Sequence, residues 1–188
     1  MSPLYIALVH HPVRDRLGER VTTSVTNLDV HDLARSARTY DLRGFFVVTP
    51  ITAQQAIVER ILAHFQSGPG RERVPARGEA LALARVAADL EEAREAIEAA
   101  HGQPPFVVAT SACPPEGREV SPFRAEAERL RRREAPTLLL FGTGHGLVDE
   151  VLDRADAVLA PIRPGAFNHL SVRAAAAICL DRLLGDVD

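Results

Sequence analysis

Short apolar runs alternate with amphipathic segments along the chain. Residues 4–9 and 45–48 form continuous apolar runs, as in strands that are buried on both faces of a sheet. Between them, apolar residues recur at spacings of three and four over 28–40, which predicts a helix. Strands and helices in alternation predict an α/β fold, in which helices flank a mostly parallel sheet.

The same pattern continues to the last residues. Further strands are predicted at 106–109, 137–141 and 157–159. Further helices are predicted at 52–68, 79–100, 122–133, 147–154 and 171–184. Thr52 and Gln55 are expected to form a capping box at the first of these helices, and glycines and prolines predict loops at 68–78 and 111–122. A chain of this length fits one domain over 1–188.

Composition and charge narrow the class of protein. Hydrophobic residues make up 46% and charged residues 25%, which is typical of a globular domain. The longest apolar runs fall far short of the roughly 20 residues of a membrane span, and no secretory signal is visible, so we expect a cytoplasmic protein without membrane contact. The net charge of −3 disfavours indiscriminate binding to polyanions but allows a local basic patch.

No metal site or disulfide is expected. The seven histidines are scattered, and the two cysteines, Cys113 and Cys179, lack a metal-ligand spacing. We interpret both cysteines as structural thiols.

The loops that follow strands are the candidate ligand sites, because ligands bind at the carboxyl ends of parallel strands. They span 110–117, 142–146 and 160–170. The second reads GTGHG, whose glycines allow a ligand close to the backbone, although a plain tight turn is the alternative. It matches neither a dinucleotide fingerprint nor a P-loop. In the third loop, Asn168 or Ser171 can cap the last helix.

Three stretches resemble the three motifs of the SPOUT superfamily of RNA methyltransferases, in the order usual for that superfamily. They are residues 27–35, FGTGHGL at 141–147, and NHLSV at 168–172 with the helix that follows. NHLSVR after a proline-containing loop is the more specific signal. Within the superfamily, the resemblance is greatest to small single-domain members related to the tRNA guanine-N1 methyltransferases.

The resemblance implies a fold, an activity and a cofactor. It implies a deep trefoil knot in the C-terminal third, with S-adenosylmethionine bound against it. It implies an enzyme that methylates a base nitrogen or a ribose 2'-hydroxyl of RNA, either tRNA or rRNA. It also implies a homodimer whose subunits share the RNA site, and the alanine run at 174–177 is compatible with close packing of another chain.

By position, the resemblance assigns cofactor binding to three loops, largely through their backbone groups. The assigned residues are Thr110, Ser111, Ala112, Phe141, Gly142, Thr143, Gly144, Gly146, Leu147, Ile162, Phe167, Asn168, His169, Leu170, Ser171 and Val172.

Other positions are assigned to the reaction. Arg35 resembles the essential arginine of the first motif, and His145 and Asn168 complete the catalytic candidates. The tRNA guanine-N1 enzymes have a glutamate at the position of His145, so guanine does not follow as the acceptor. A base near the acceptor atom speeds such a transfer, and the candidate bases are His145, Asp32, Asp149 and Glu150.

The RNA-binding candidates lie on the first helix and in two loops. Asn27, His31 and Arg35 share one polar face of that helix, which a solvated surface explains equally well. Arg14, after the first strand, and Arg163, in the last loop, complete the set.

Two other functions stay open. The acidic balance and the histidine at position 145 fit a non-catalytic regulatory module that binds S-adenosylmethionine or a nucleotide. A protein acceptor instead of RNA is the weaker alternative. With two tyrosines and no tryptophan, the sequence shows no aromatic platform on which RNA bases could stack.

Overall fold

The structure, a computed structural model, describes residues 2–163, 165 and 168–185. Its strands are β1 (Leu4–Val9), β2 (Val13–Arg14), β3 (Arg20–Val21), β4 (Gly44–Val48), β5 (Ala84–Ala87), β6 (Phe106–Thr110), β7 (Thr137–Gly142) and β8 (Ala157–Leu159). Its helices are α1 (Asn27–Thr39), α2 (Thr52–Gln66), α3 (Pro69–Arg73), α4 (Pro75–Leu81), α5 (Leu90–His101), α6 (Phe123–Arg132), α7 (Asp149–Asp153) and α8 (Val172–Leu184).

Six strands form one sheet in the order β5-β4-β1-β7-β6-β8. Every neighbouring pair is parallel; Ile6 of β1, for example, lies between Phe45 of β4 and Leu139 of β7. The predicted α/β fold with a mostly parallel sheet is therefore confirmed.

Helices cover both faces of the sheet, which explains why its central strands are apolar throughout. Side chains alternate along β1, so Ile6 and Leu8 join a core cluster that also contains Leu33 of α1 and Leu180 of α8. The opposite face carries a second cluster, which includes Ile97 of α5. Among the described residues, no helix is long and apolar enough to cross a membrane.

The predicted helix over 79–100 is wrong, because this stretch contains the end of α4, then β5, and then α5. Ala84 and Ala87 are buried and pair with β4, so edge pairing overrides the high helix propensity of alanine. Asp89 then begins α5, since its carboxylate accepts a hydrogen bond from the backbone N of Glu92 at 2.9 Å.

The structure also differs from the sequence-based prediction in three local features. Residues 68–78, expected as a loop, contain α3 and the beginning of α4. The Thr52–Gln55 capping box does not form; the side-chain amide of Gln55 instead donates to the carbonyl O of Thr49 at 2.8 Å. The antiparallel pair β2–β3 follows β1 directly and was not predicted.

Candidate active site

A cavity of about 800 Å³ opens where β6, β7 and β8 end. All three candidate loops line it, since Ser111, His145 and Asn168 all face the same space. The β2–β3 hairpin closes another side through Arg14 and Arg16. The cavity volume lies in the range of pockets for small ligands, about 300–1,000 Å³.

The glycine loop after β7 is held tightly against the hairpin. The backbone N of His145 donates to the carbonyl O of Arg14 at 2.9 Å, and the backbone N of Arg14 donates to the carbonyl O of Gly146 at 2.8 Å. Gly144 has φ +60°, and a Cβ there would lie 2.9 Å from the carbonyl O of Arg14. Position 144 therefore needs glycine both for its φ and for the space available.

A partly buried chain of hydrogen-bonded polar side chains holds this loop from below. Nδ1 of His10 lies 3.0 Å from the Thr23 hydroxyl, which lies 2.5 Å from the Thr143 hydroxyl. Thr143 also donates to the carbonyl O of Val9 at 3.0 Å. Burial lowers the pKa of His10 to about 4, against a smaller opposing effect of the Asp29 carboxylate. His10 is therefore neutral at pH 7 and joins β1, the hairpin and the glycine loop.

Asp29, in the first turn of α1, is a cavity residue that the sequence analysis missed. Nε of Arg173 on α8 lies 3.2 Å from its carboxylate, and a terminal nitrogen of the same guanidinium lies 3.2 Å from Asp32. The spacing of Thr26 and Asp29 was the available signal: the Asp29 backbone N donates to the Thr26 hydroxyl at 3.2 Å, and that hydroxyl donates to the Asp29 carboxylate at 2.6 Å. Arg173 thus fixes α1 against α8 beside the cavity.

The last loop is tied to the loop after β6. The side-chain amide of Asn168 donates to the carbonyl O of Ala112 at 3.0 Å. Ser171 caps α8 by accepting from the backbone N of Ala174 at 3.3 Å. Phe167, assigned to cofactor binding, lies outside the described residues.

Most residues assigned from the sequence are brought together around the cavity. Those that line it are Arg14, Thr110, Ser111, Ala112, Phe141, Gly142, Thr143, Gly144, His145, Gly146, Ile162, Asn168, His169, Leu170, Ser171 and Val172. Leu147 is instead buried beneath the loop, and Arg163 does not line the cavity. The lining residues Asp15, Thr23, Ser24 and Asp29 were not predicted from the sequence, and Cys113 lies in the predicted ligand loop but was interpreted as a structural thiol.

Three of the four candidate bases, Asp32, Asp149 and Glu150, do not line the cavity. Asp149 pairs with Arg14 at 3.3 Å and Glu150 with Arg20 at 2.7 Å, on the outer surface of α7. A backbone hydrogen bond, followed by the nearby Arg20 guanidinium, lowers the pKa of Glu150. Both carboxylates anchor the hairpin to α7, whereas His145 lines the cavity.

The cysteines differ in environment. Cys179 is buried, and burial raises the pKa of its thiol to about 12, so it stays protonated. Cys113 is exposed and lines the cavity. Neither forms a disulfide, and the described residues contain no cluster of metal-binding side chains.

Arg35, Asn27 and His31 are not at the cavity. They line a second groove of about 630 Å³, between α1, α2 and α4. Asp32 lies in the same groove. Within one chain, α1 therefore separates the first-motif arginine from the residues of the other two motifs.

Comparison with known proteins relates nearly the whole chain to RNA methyltransferases. The sequence model of a family described as SAM-dependent RNA methyltransferase matches residues 3–185. A protein of Oleidesulfovibrio alaskensis named tRNA (guanine-N(1)-)-methyltransferase is 47% identical over 184 residues, which are 97% of this chain and 42% of that protein. An uncharacterized protein of Aquifex aeolicus is 40% identical over 182 residues, which are 96% of this chain and 87% of that protein.

A solved structure shares the fold. A probable methylase family protein of Haemophilus influenzae superposes with a TM-score of 0.63 at 16% identity, over 97% of this chain and 65% of that chain. The chain spans only 42% of the length of the Oleidesulfovibrio relative, so the activity in that name belongs to a longer protein.

Proposed function

Because this chain belongs to the family of S-adenosylmethionine-dependent RNA methyltransferases, we propose that it transfers a methyl group from S-adenosylmethionine to tRNA or rRNA. The observation that carries the proposal is the cavity at the carboxyl ends of β6, β7 and β8, which is lined by two of the three motifs. We propose a ring nitrogen or a ribose 2'-hydroxyl as the acceptor. We further propose that the enzyme works in the cytoplasm, where its substrates occur.

The cavity fits the cofactor in size and in chemistry. Apolar side chains such as Phe141 and Ile162 offer contacts to an adenine ring, and Ser111 and Ser171 offer hydroxyls. A Cβ on Gly146 would meet nothing within 4 Å, so the backbone there faces open space. S-adenosylmethionine, when bound, supplies a methyl group on a sulfonium, whose neutral thioether, S-adenosylhomocysteine, is a good leaving group.

The chain's own residues would position the acceptor. We assign His145 to hold or remove the acceptor proton, because it is exposed at the cavity and the backbone bond to Arg14 fixes its place. Arg16 also lines the cavity and forms no ion pair within the described part of the chain, so it is available for phosphate. Asn168 would act by holding the last loop on Ala112.

We also propose a trefoil knot and a homodimer. The pairing of β8 with β6, and the bond from Asn168 to the loop after β6, support a threaded C-terminal segment. Ala174 and Ala177 of α8 are only half-buried, which leaves space for a second chain to pack closely. In such a dimer, Arg35 would serve the acceptor site of the partner subunit.

Transfer of tritiated methyl groups to total tRNA, rRNA and protein from cells tests the proposal. We expect label in RNA, and mass spectrometry of the nucleosides would show whether a base or a ribose carries it. Cofactor binding without label in RNA would instead support the non-catalytic regulatory module, and label in protein alone would replace RNA as the acceptor.

A further inference from the structure

The groove between α1, α2 and α4 is distinct from the cofactor cavity. Among the described residues, the two share no lining residue. Asp29 of α1 faces the cavity, whereas Leu28 and His31 of the same helix face the groove. Within one chain, a ligand in the groove would therefore lie one helix away from the cofactor cavity.

The groove is locally positive although the whole chain carries a net charge of −3. Arg35, Arg60 and Arg77 line it, and Asp32 is its one carboxylate among the described residues. Asp32 is already engaged by Arg173 at 3.2 Å and lies 3.9 Å from Arg35. Arg60 and Arg77 form no ion pair within the described ranges, so both guanidinium groups are available to an anion.

An aromatic and apolar surface lies beside these cations. The Phe65 ring contacts the rings of His31 and His64 edge to face, at centroid distances of 5.1 Å and 4.8 Å, and the Arg77 guanidinium lies 5.5 Å from its centroid. Leu28 is 60% exposed and Ile57 is 49% exposed, so two large apolar side chains of the groove are open to a ligand. The groove thus combines cationic and apolar contacts.

His31 adds a polar group to this surface. Its Nδ1 atom is buried and has no hydrogen-bond partner among the described residues. Burial, together with the nearby Arg77 cation, lowers the pKa of His31. A neutral imidazole offers one donor and one acceptor on opposite sides of its ring, and the edge of a nucleobase can pair with one of them.

We infer that this groove binds a single-stranded segment of the substrate RNA, with Arg60 and Arg77 holding phosphates and the surface around Phe65 contacting a base. The inference rests on the proposed function, since it supplies a second contact for the same RNA. Arginine forks match phosphate oxygens, and base stacking on aromatic and apolar side chains tolerates any sequence.

Charge-matched double variants test the phosphate contacts. Arg60→Ala/Arg77→Ala removes two groove arginines, and Arg131→Ala/Arg132→Ala removes two exposed arginines of α6 outside the groove. Fluorescence anisotropy would follow binding of a labelled 12-nucleotide single-stranded RNA of mixed sequence, from low to moderate salt. We expect at least tenfold weaker binding for the groove pair only, with a salt slope shallower by about 1.4, since each lost phosphate contact on a single strand removes about 0.7.

A second pair of variants tests the base contact. Ile57→Ser changes an exposed groove side chain without changing charge, and Val74→Ser changes a 40% exposed side chain outside the groove. We expect several-fold weaker RNA binding for Ile57→Ser alone, with an unchanged salt slope. Equal RNA affinities of the Ile57→Ser and Val74→Ser variants would overturn the proposed base contact.

Equal losses in both arginine pairs, or no loss in either, overturn the inference, as does an absence of RNA binding by the unaltered protein. A change in molar mass of the groove pair by light scattering would assign the groove to a second copy of the chain instead. Calorimetric titration of the same variants with S-adenosylmethionine separates the two proposals, because loss of the groove should leave cofactor affinity unchanged.

Discussion

Substitution of Gly144 by alanine tests whether the glycine loop must pack on the hairpin to form the cofactor cavity. Two costs combine at this position. An L-residue in the left-handed region costs about 1–2 kcal/mol, and Gly144 has φ +60°. The added Cβ would also lie 2.9 Å from the carbonyl O of Arg14, which is backbone and must shift with the hairpin. Overpacking of this kind costs about 1–3 kcal/mol more.

Gly117→Ala is the matched control. Gly117 has φ +78°, but a Cβ there would meet nothing within 4 Å, and the residue does not line the cavity. It therefore carries the backbone cost without the collision. In a domain of this size each kcal/mol lowers Tm by about 2–4 °C, so Gly144→Ala should melt several degrees below the control.

The assay is differential scanning calorimetry of both variants, followed by titration with S-adenosylmethionine. We expect Gly144→Ala to lose affinity at least tenfold, because separation of the loop from the hairpin opens the cavity, and Gly117→Ala to retain it. Identical Tm values and affinities for the two variants would refute the packing argument.

Three further predictions concern stability. Because burial lowers the pKa of His10 to about 4, the unfolded chain takes up this proton first as the pH falls, and His10→Gln should flatten the fall of Tm between pH 6.5 and 4. Parallel Tm curves for the variant and the unaltered protein would contradict the lowered pKa. Arg173→Met removes the ion pairs to Asp29 and Asp32 and should lower the free energy of unfolding, measured by urea denaturation, by about 1–3 kcal/mol. Asp29→Asn should cost less stability in the Arg173→Met background than in the unaltered protein, and additive losses would show that Arg173 and Asp29 are not coupled. Ser171→Ala removes the cap of α8 and should cost about 1 kcal/mol, and an unchanged melting curve would show that the cap contributes nothing.

The sheet could be predicted from the sequence because its central strands are uninterrupted apolar runs. β5 could not, because Ala84–Ala87 lies in an alanine-rich stretch whose intrinsic preference is helical, and pairing with β4 decides its conformation. A local signal did exist at its end. Asp89 and Glu92 have the spacing of a capping box, which marks the beginning of a new helix.

The candidate site was predictable where it follows strands and not where distant segments meet. Residues after β6 and β7 line the cavity as expected, since carboxyl ends of parallel strands meet at one edge. Asp29 and Thr23 come from other parts of the chain, and their places depend on α8 and on the hairpin. The separation of Arg35 from the cavity is likewise a property of tertiary packing, which helix periodicity alone does not contain.

The most direct test of the account is calorimetric titration of the protein with S-adenosylmethionine and S-adenosylhomocysteine. We predict one site per chain with micromolar affinity, which corresponds to about 8 kcal/mol, and weaker binding when Gly144 is replaced by alanine. No detectable heat, together with no thermal stabilisation at millimolar ligand, would contradict the assignment of the cavity to this cofactor.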